Sequence, residues 1–245
     1  KLVVLPEYFC IMGMQDTDKL KVREKPGEGV IQTFLSETAK RFRIWLIGGS
    51  VPLISQIPDK IFNSCLVYDD AGEQVARYDK IHLFGFSHGN ERFAEEKTIK
   101  AGDKVIAIDS PFGRIGLSIC YDLRFPELYR MMGKIDIILA PSAFTAITGK
   151  AHWETLIRAR AIENLAGVVA ADVRRERQRV EVRWCDPGAR HLEHRDDRGG
   201  ELAHHQPPAG FGDTGHFGQP ERVVDDVAQP EADGHRVEGL VGERQ

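Results

Sequence analysis

The sequence predicts an α/β fold, and three observations predict it. Short apolar runs of strand length alternate with segments of helical period, the pattern of βαβ units around a mostly parallel, buried sheet. Two further pairs of apolar runs are joined by short turn sequences, the pattern of antiparallel hairpins. The chain has 245 residues, 42% of them hydrophobic, which is enough for a sizeable core. Hairpins among βαβ units leave two architectures open: one mixed sheet, or two sheets packed face to face with helices outside.

The elements follow in chain order. Leu2–Pro6 is expected to be the first strand. Ile31–Arg43 repeats its apolar positions (Ile31, Phe34, Leu35, Ala39, Phe42) at helical spacing and feeds the strand Ile44–Ile47, which Gly48 and Gly49 end. Ser64–Tyr68 and Gln74–Tyr78, joined across Asp69-Asp70-Ala71-Gly72, read as one hairpin. Val105–Ser110 and Arg114–Cys120, joined at Pro111-Phe112-Gly113, read as the other. Pro126 opens a helix over Glu127–Met132, since proline is favoured at the first helical position. Ile135–Ala140 is a buried strand, His152–Leu165 a helix and Gly167–Ala171 a final strand.

Composition divides the chain at residue 173. Residues 1–173 hold all 12 lysines and carry 22 Lys+Arg against 22 Asp+Glu. Residues 174–245 hold 11 arginines against 15 acids, with no lysine, isoleucine, methionine or tyrosine. Leu, Ile, Val and Phe make up 12 of those 72 residues, below the roughly 20% at which a segment struggles to offset its ordering entropy. The expected organisation is one domain over 1–173 and a largely irregular tail over 174–245. The whole-chain charge of −4 argues against a nucleic-acid binder, which would show a basic stripe. No run of about 18 apolar residues predicts a membrane span. Four widely spaced cysteines (Cys10, Cys65, Cys120, Cys185) form neither a disulfide framework nor a zinc motif. Irregular spacing makes the tail histidines His191, His194, His204 and His205 solvated groups rather than a metal site. No signal-peptide pattern opens the chain, and the expected setting is reducing and cytoplasmic.

Ligands of open α/β sheets bind at the carboxyl ends of strands, so those ends locate the chemistry. The first strand ends in Leu5-Pro6-Glu7. Gln74–Tyr78 is followed by Asp79-Lys80. The strand through Ile115–Ile119 ends at Cys120. A carboxylate, an ammonium and a thiol are thereby delivered toward one crevice. A free thiol has a pKa of about 8.5, and the thiolate is the nucleophile. A neighbouring carboxylate can take the thiol proton during attack and return it to a leaving amine. An ammonium and a backbone N–H after the nucleophile can stabilise the oxyanion. Acyl transfer from an amide or nitrile through a thioester follows from that set. A Cys–His hydrolase would instead need His82, His88 or His152, none at an expected strand end.

These residues resemble the nitrilase (carbon–nitrogen hydrolase) superfamily. The matching stretches are Leu2–Phe9 (LVVLPEYF), Tyr78–Phe84 (YDKIHLF), Gly116–Arg130 (GLSICYDLRFPELYR) and Pro141–Asn164 (PSAFTAITGKAHWETLIRARAIEN). The resemblance implies an αββα sandwich that pairs into an αββα–αββα dimer. It implies Glu7 as general base, Lys80 as oxyanion-stabilising cation and Cys120 as nucleophile, with the Tyr121 N–H completing the oxyanion hole. A second, orienting glutamate falls on Glu95, with Glu96 as its competitor. Within the superfamily the motifs look most like small ω-amidases and deaminated-glutathione amidases. This branch implies a small carboxamide substrate and no cofactor or metal. Arg124 either binds a substrate carboxylate or pairs with Asp122 or Glu127. Ser142, Ala143, Phe144 and Thr145 are expected to line the pocket.

The chain also departs from that resemblance. Members begin with a further strand and helix, whereas Lys1 opens directly on the first apolar run, so the fold is expected to be incomplete there. Beyond Val173 the family pattern gives way to Arg174-Arg175-Glu176, and only Asp186-Pro187-Gly188 keeps a trace of it. A change of reading frame near residue 173 is the expected cause. Unpaired sheet edges and an uncovered sheet face would follow, and the expected activity of this polypeptide is weak or absent. The alternative is a non-catalytic remnant of the same fold.

Overall fold

The computed structural model describes residues 1–11, 13, 15–88, 91–174, 179–185 and 193–195. The first half supplies β1 (Leu2–Val4), α1 (Asp18–Lys21), α2 (Val30–Phe42), β2 (Trp45–Ile47), β3 (Val51–Ile54), β4 (Ile61–Tyr68) and β5 (Gln74–Asp79). A small hairpin follows, β6 (Gly85–His88) and β7 (Glu91–Ala94). The second half supplies β8 (Ala107–Ser110), β9 (Gly113–Leu117), α3 (Pro126–Met131), β10 (Ile137–Leu139), α4 (Ala146–Asn164), β11 (Gly167–Arg174), β12 (Arg179–Cys185) and β13 (Glu193–Arg195).

Two sheets result. In the first, β1 and β2 are parallel, and the fully buried β4 pairs antiparallel with β2, β3 and β5. The second runs β13-β12-β11-β10-β9-β8, with the parallel trio β9, β10 and β11 at its centre. Side-chain alternation along β4 explains how the layers stack, because successive strand residues face opposite sides. Phe62, Leu66 and Tyr68 pack with Leu35 and Ala39 of α2. Cys65 and Val67 join Ile115 and Leu117 of β9 between the sheets, in a cluster that extends to Leu128 of α3 and Trp153 and Ile157 of α4. The order is therefore helix, sheet, sheet, helices. Of the two architectures left open by periodicity, the αββα sandwich is the one that forms.

Several elements differ from their sequence-based bounds. Helix α4 begins at Ala146 because the Thr145 Oγ1 accepts the Thr148 N–H at 3.2 Å, capping a first turn that Thr148 and Gly149 would not sustain by propensity. Strand β3 contains Pro52, a residue that argues against a central strand. It lies at the sheet edge, where proline is tolerated. Strands β12 and β13 continue the second sheet beyond residue 173, where irregular chain is expected. The alternation Val180, Val182, Trp184 is the period-two signal within β12 that bulk composition conceals. Residues 196–245, Asp186-Pro187-Gly188 and the side chains of the tail histidines lie outside the described residues. No described helix is long and apolar enough to cross a membrane.

Candidate active site

Glu7 stands just beyond β1, where Leu5 donates its N–H to the Ile47 carbonyl at 2.9 Å and keeps the strand aligned with β2. The turn after it is held from behind by Gly48-Gly49-Ser50. The Ser50 Oγ accepts the Tyr8 N–H at 3.0 Å. Gly49 has φ +53, and a Cβ there would fall 2.0 Å from the Pro6 carbonyl oxygen. Only glycine permits that approach. Gly49→Ala is expected to destabilise the fold by about 1–3 kcal/mol and to displace Glu7. The checks are a lowered denaturant midpoint and a fall in activity larger than the unfolded fraction explains.

Lys80 leaves β5 with its backbone N–H on the Asn63 carbonyl at 2.9 Å. Cys120 opens a 3-10 turn, Cys120–Arg124, directly after β9. Its φ of +48 is uncommon for a residue with a side chain, and its amide is anchored to the Pro141 carbonyl at 2.9 Å. A sharp strand-to-turn corner of this kind projects a side chain out of the sheet plane. The turn is braced by Asp122, which is fully buried. Its carboxylate accepts from Tyr78 Oη (2.7 Å), the Ile119 N–H (2.9 Å) and the His82 N–H (3.0 Å), and lies 2.7 Å from His82 Nδ1. Asp122 thereby ties the β5 end that carries Lys80 to the turn that carries Cys120.

The three reactive groups meet at one cleft, which they line with Phe84, Glu95, Tyr121, Arg124, Ala143, Phe144, Thr145 and Thr148. Glu7 Oε1 accepts from Lys80 Nζ at 2.9 Å and from Asn63 Nδ2 at 2.8 Å, and the carboxylate is hydrogen-bonded to the Cys120 thiol. Lys80 Nζ also reaches Glu95, at 3.1 Å from Oε1 and 2.9 Å from Oε2. Glu95 is fixed in turn by the Phe84 N–H, 2.8 Å from its Oε2, while Glu96 is exposed. Glu7 and Lys80 are 2% and 1% exposed, so this is a nearly dry charge network.

Burial pushes the Glu7 carboxyl up, but the Lys80 charge and the hydrogen bonds from Lys80, Asn63 and Cys120 outweigh it and hold the group below its ordinary value. Burial pulls Lys80 down, and the two carboxylates Glu7 and Glu95 more than reverse this. Burial also raises the Cys120 thiol well above its ordinary range, helped by Glu7 and opposed by Lys80 and the Ala143 N–H. The resting site is a carboxylate, an ammonium and a neutral thiol.

Of the other residues expected at the site, Tyr121, Ala143 and Phe144 line the cleft, and so does Arg124. Arg124 Nη2 lies 3.1 Å from His152 Nδ1, and its guanidinium sits 5.5 Å and 5.9 Å from the Tyr121 and Phe144 ring centres. Asp122 is engaged with Tyr78, Ile119 and His82 rather than with Arg124. Ser142 does not line the cleft. It extends the β10–β11 ladder through its N–H to the Ala171 carbonyl, and its buried hydroxyl turns back to the Ala140 carbonyl at 2.9 Å. Alternation along the extended chain places Ala143 at the cleft wall instead. No histidine lines the cleft among the described residues. Asn63, and the role of Asp122 as a brace rather than a partner of Arg124, are not foreseen from the sequence. A lone asparagine inside the apolar run Ile61–Tyr68 was the available signal for the first.

The sequence profile described as carbon-nitrogen hydrolase matches residues 1–184. Deaminated glutathione amidase from Yersinia enterocolitica is 44% identical over 155 residues, covering 60% of this chain and 54% of that protein. Omega-amidase NIT2 from Homo sapiens is 38% identical over 187 residues, covering 75% of this chain and 66% of that one. The crystal structure of Saccharomyces cerevisiae Nit3, a member of branch 10 of the nitrilase superfamily, superimposes with a TM-score of 0.62 at 29% identity, covering 81% of this chain and 78% of that chain. The chain spans little more than half the length of the first of these relatives. Matched over most of its length in sequence and in fold, this chain belongs to the carbon–nitrogen hydrolase family.

Proposed function

We propose that this chain hydrolyses the carbon–nitrogen bond of a small ω-amide through a thioester on Cys120. The observation that carries the reading is the buried Glu7–Lys80–Glu95 network meeting the Cys120 thiol in one cleft. Cys120 Sγ attacks the amide carbon while Glu7 takes the thiol proton, so no free thiolate has to accumulate. The developing oxyanion is met by the Lys80 ammonium and the Tyr121 N–H. The C–N bond then breaks, and Glu7 returns the proton to the departing amine, which is ammonia for a primary amide. Water next attacks the thioester with Glu7 again as base. The S–C bond breaks, the acid is released and the thiol is restored. Glu95 holds Lys80 in place and takes no proton.

The cleft is narrow, with about 310 Å³ of empty space even when its open mouth is included, which suits a short acyl chain. Arg124, presented between two aromatic rings, is the group to bind a carboxylate at the far end of that chain. The free thiols Cys10, Cys65 and Cys120 support a reducing, cytoplasmic setting. A homodimer, and a small amide rather than nucleic acid as the partner, belong to the same proposal. The relatives' printed names, omega-amidase and deaminated glutathione amidase, agree with this substrate class.

Mass spectrometry after incubation with a panel of ω-amides tests the reading, even at slow turnover. The expected result is an acyl adduct on Cys120 together with ammonia release. Burial raises the Cys65 thiol to about 12, which makes it an internal reference for an inert cysteine. No adduct with any ω-amide, and alkylation of Cys120 no faster than of Cys65, would establish the inert-scaffold alternative.

A further inference from the structure

Asn63 lies within the buried strand β4 and is itself fully buried. Alternation puts it on the same side as Cys65 and Val67, the side that faces the second sheet. Stability alone does not account for an asparagine there. Its Nδ2 donates to Glu7 Oε1 at 2.8 Å. Its Oδ1 is buried with no hydrogen-bond partner among the described residues, and an orphaned buried oxygen costs a fold stability. The backbone of the same residue serves the other charged group, since its carbonyl accepts the Lys80 N–H at 2.9 Å. One residue thus holds the proton acceptor with its side chain and the root of the cation with its main chain.

The hydrogen bonds to Glu7 are unevenly shared. Oε1 accepts from Asn63 and, at 2.9 Å, from Lys80 Nζ, which uses both lone pairs of that oxygen. We propose that Asn63 is a positioning residue for the proton transfer: it fixes the rotation of the Glu7 carboxylate so that Oε2 takes the Cys120 proton, while its carbonyl keeps Lys80 in place beside it. The inference rests on the amidase reading and deepens it. Around Glu7 stand Lys80 from the end of β5, Cys120 from the turn after β9, and Glu95 beyond the ammonium. Arg124 lies across the cleft, and Tyr8, Asp16 and Lys19 border Glu7 on its other side. All of these remain when Asn63 is changed, so only the donor is lost. Burial is then opposed by Lys80 and the thiol alone, and Glu7 keeps its proton to higher pH.

Asn63→Leu is the test, being similar in shape and unable to donate. It also removes the orphaned oxygen, so the variant should fold. For ω-amide hydrolysis kcat should fall by about 10- to 100-fold, the range for a slightly misplaced catalytic group, while KM changes less than about twofold. The acid limb of kcat/KM reports the base of the free enzyme. It should move to higher pH, and the alkaline limb should stay. Added to Glu7→Gln, the substitution should cost less than about twofold more, because it acts through Glu7. Thermal melts give a reading without turnover. Relative to the parent, Asn63→Leu should gain stability as pH falls, because its Glu7 takes up a proton first. Asn63→Ser, whose hydroxyl ends one atom short of Glu7, carries the same expectations if Asn63→Leu does not fold. An unmoved acid limb, a loss that multiplies in full with Glu7→Gln, or a melting difference independent of pH overturns the proposal. The melts separate these outcomes from a failure of the amidase reading, which shows as the missing Cys120 adduct.

Discussion

Glu7→Gln is expected to lower kcat/KM for ω-amide hydrolysis by about 10²–10⁴-fold, the range for removing a positioned general base. Glutamine keeps an oxygen to accept from Lys80 and Asn63, so the fold should survive and far-ultraviolet circular dichroism should be unchanged. A second measurement separates base chemistry from a structural role. The Glu7 charge raises the Cys120 thiol, and Lys80 lowers it. Neutralising Glu7 removes the nearest charge that raises the thiol and leaves Lys80 in place, with burial and Glu95 unchanged, so the pH midpoint for iodoacetamide labelling of Cys120 should move to lower pH. Hydrolysis falling while the thiol becomes easier to ionise is the signature of a lost proton acceptor. A midpoint that moves up, or hydrolysis that is unaffected, removes Glu7 from the proposed role.

Lys80→Ala has the largest expected effect on stability. It strands two carboxylates, Glu7 and Glu95, that now share one ammonium. Breaking a buried pair by removing one partner costs about 3–5 kcal/mol, or a melting temperature lower by about 6–20 °C for a domain of this size. Hydrolysis should also fall by about 10²–10³-fold through loss of the oxyanion cation. Adding Glu95→Gln removes one stranded charge, so it should recover part of the stability and none of the activity.

The pH dependence follows from the same charges. Glu7 is held below its ordinary 4.5, so its stabilisation is fully present above pH 4.5 and is lost as pH falls through the lowered value. Lys80 is held above its ordinary 10.5, so its contribution is present below pH 10.5 and is lost as pH rises through the raised value. The native network is therefore intact between those limits. In Lys80→Ala the sign for Glu7 reverses, because burial without a cation favours the neutral acid. The stability gap between variant and parent should narrow as pH drops toward 4.5, which thermal melts across that range would measure. A gap that widens on acidification contradicts the electrostatic account.

The local code was legible wherever short-range physics decides. Periodicity located α2, β4, β5 and the β9–β10–β11 core, because alternation and helical spacing report which face of an element is buried. Strand ends located Glu7, Lys80 and Cys120, because sheet topology delivers its strand-end residues toward one crevice. The same logic failed where local preference and tertiary context disagree. Pro52 and the opening turn of α4 are poor locally and are rescued by an edge position and by the Thr145 cap. In β12 the alternation was present but was diluted by the composition of the residues around it.

By itself, then, the chain determined the element types, the family motifs and the three strand-end residues, Glu7, Lys80 and Cys120, that line one cleft. The tertiary structure alone decided the partnerships. Glu95 rather than Glu96 meets Lys80, Asn63 rather than any neighbour in sequence braces Glu7, and Asp122 locks the turn that carries Cys120 instead of pairing with Arg124. Ser142 turns away from the cleft, and Lys19 is buried against the Tyr8 ring. The physical reason is common to all of these. Glu7 and Lys80 are 73 residues apart, and whether buried charges attract, stay neutral or go unpaired depends on distances and desolvation that exist only once the two sheets have closed on each other.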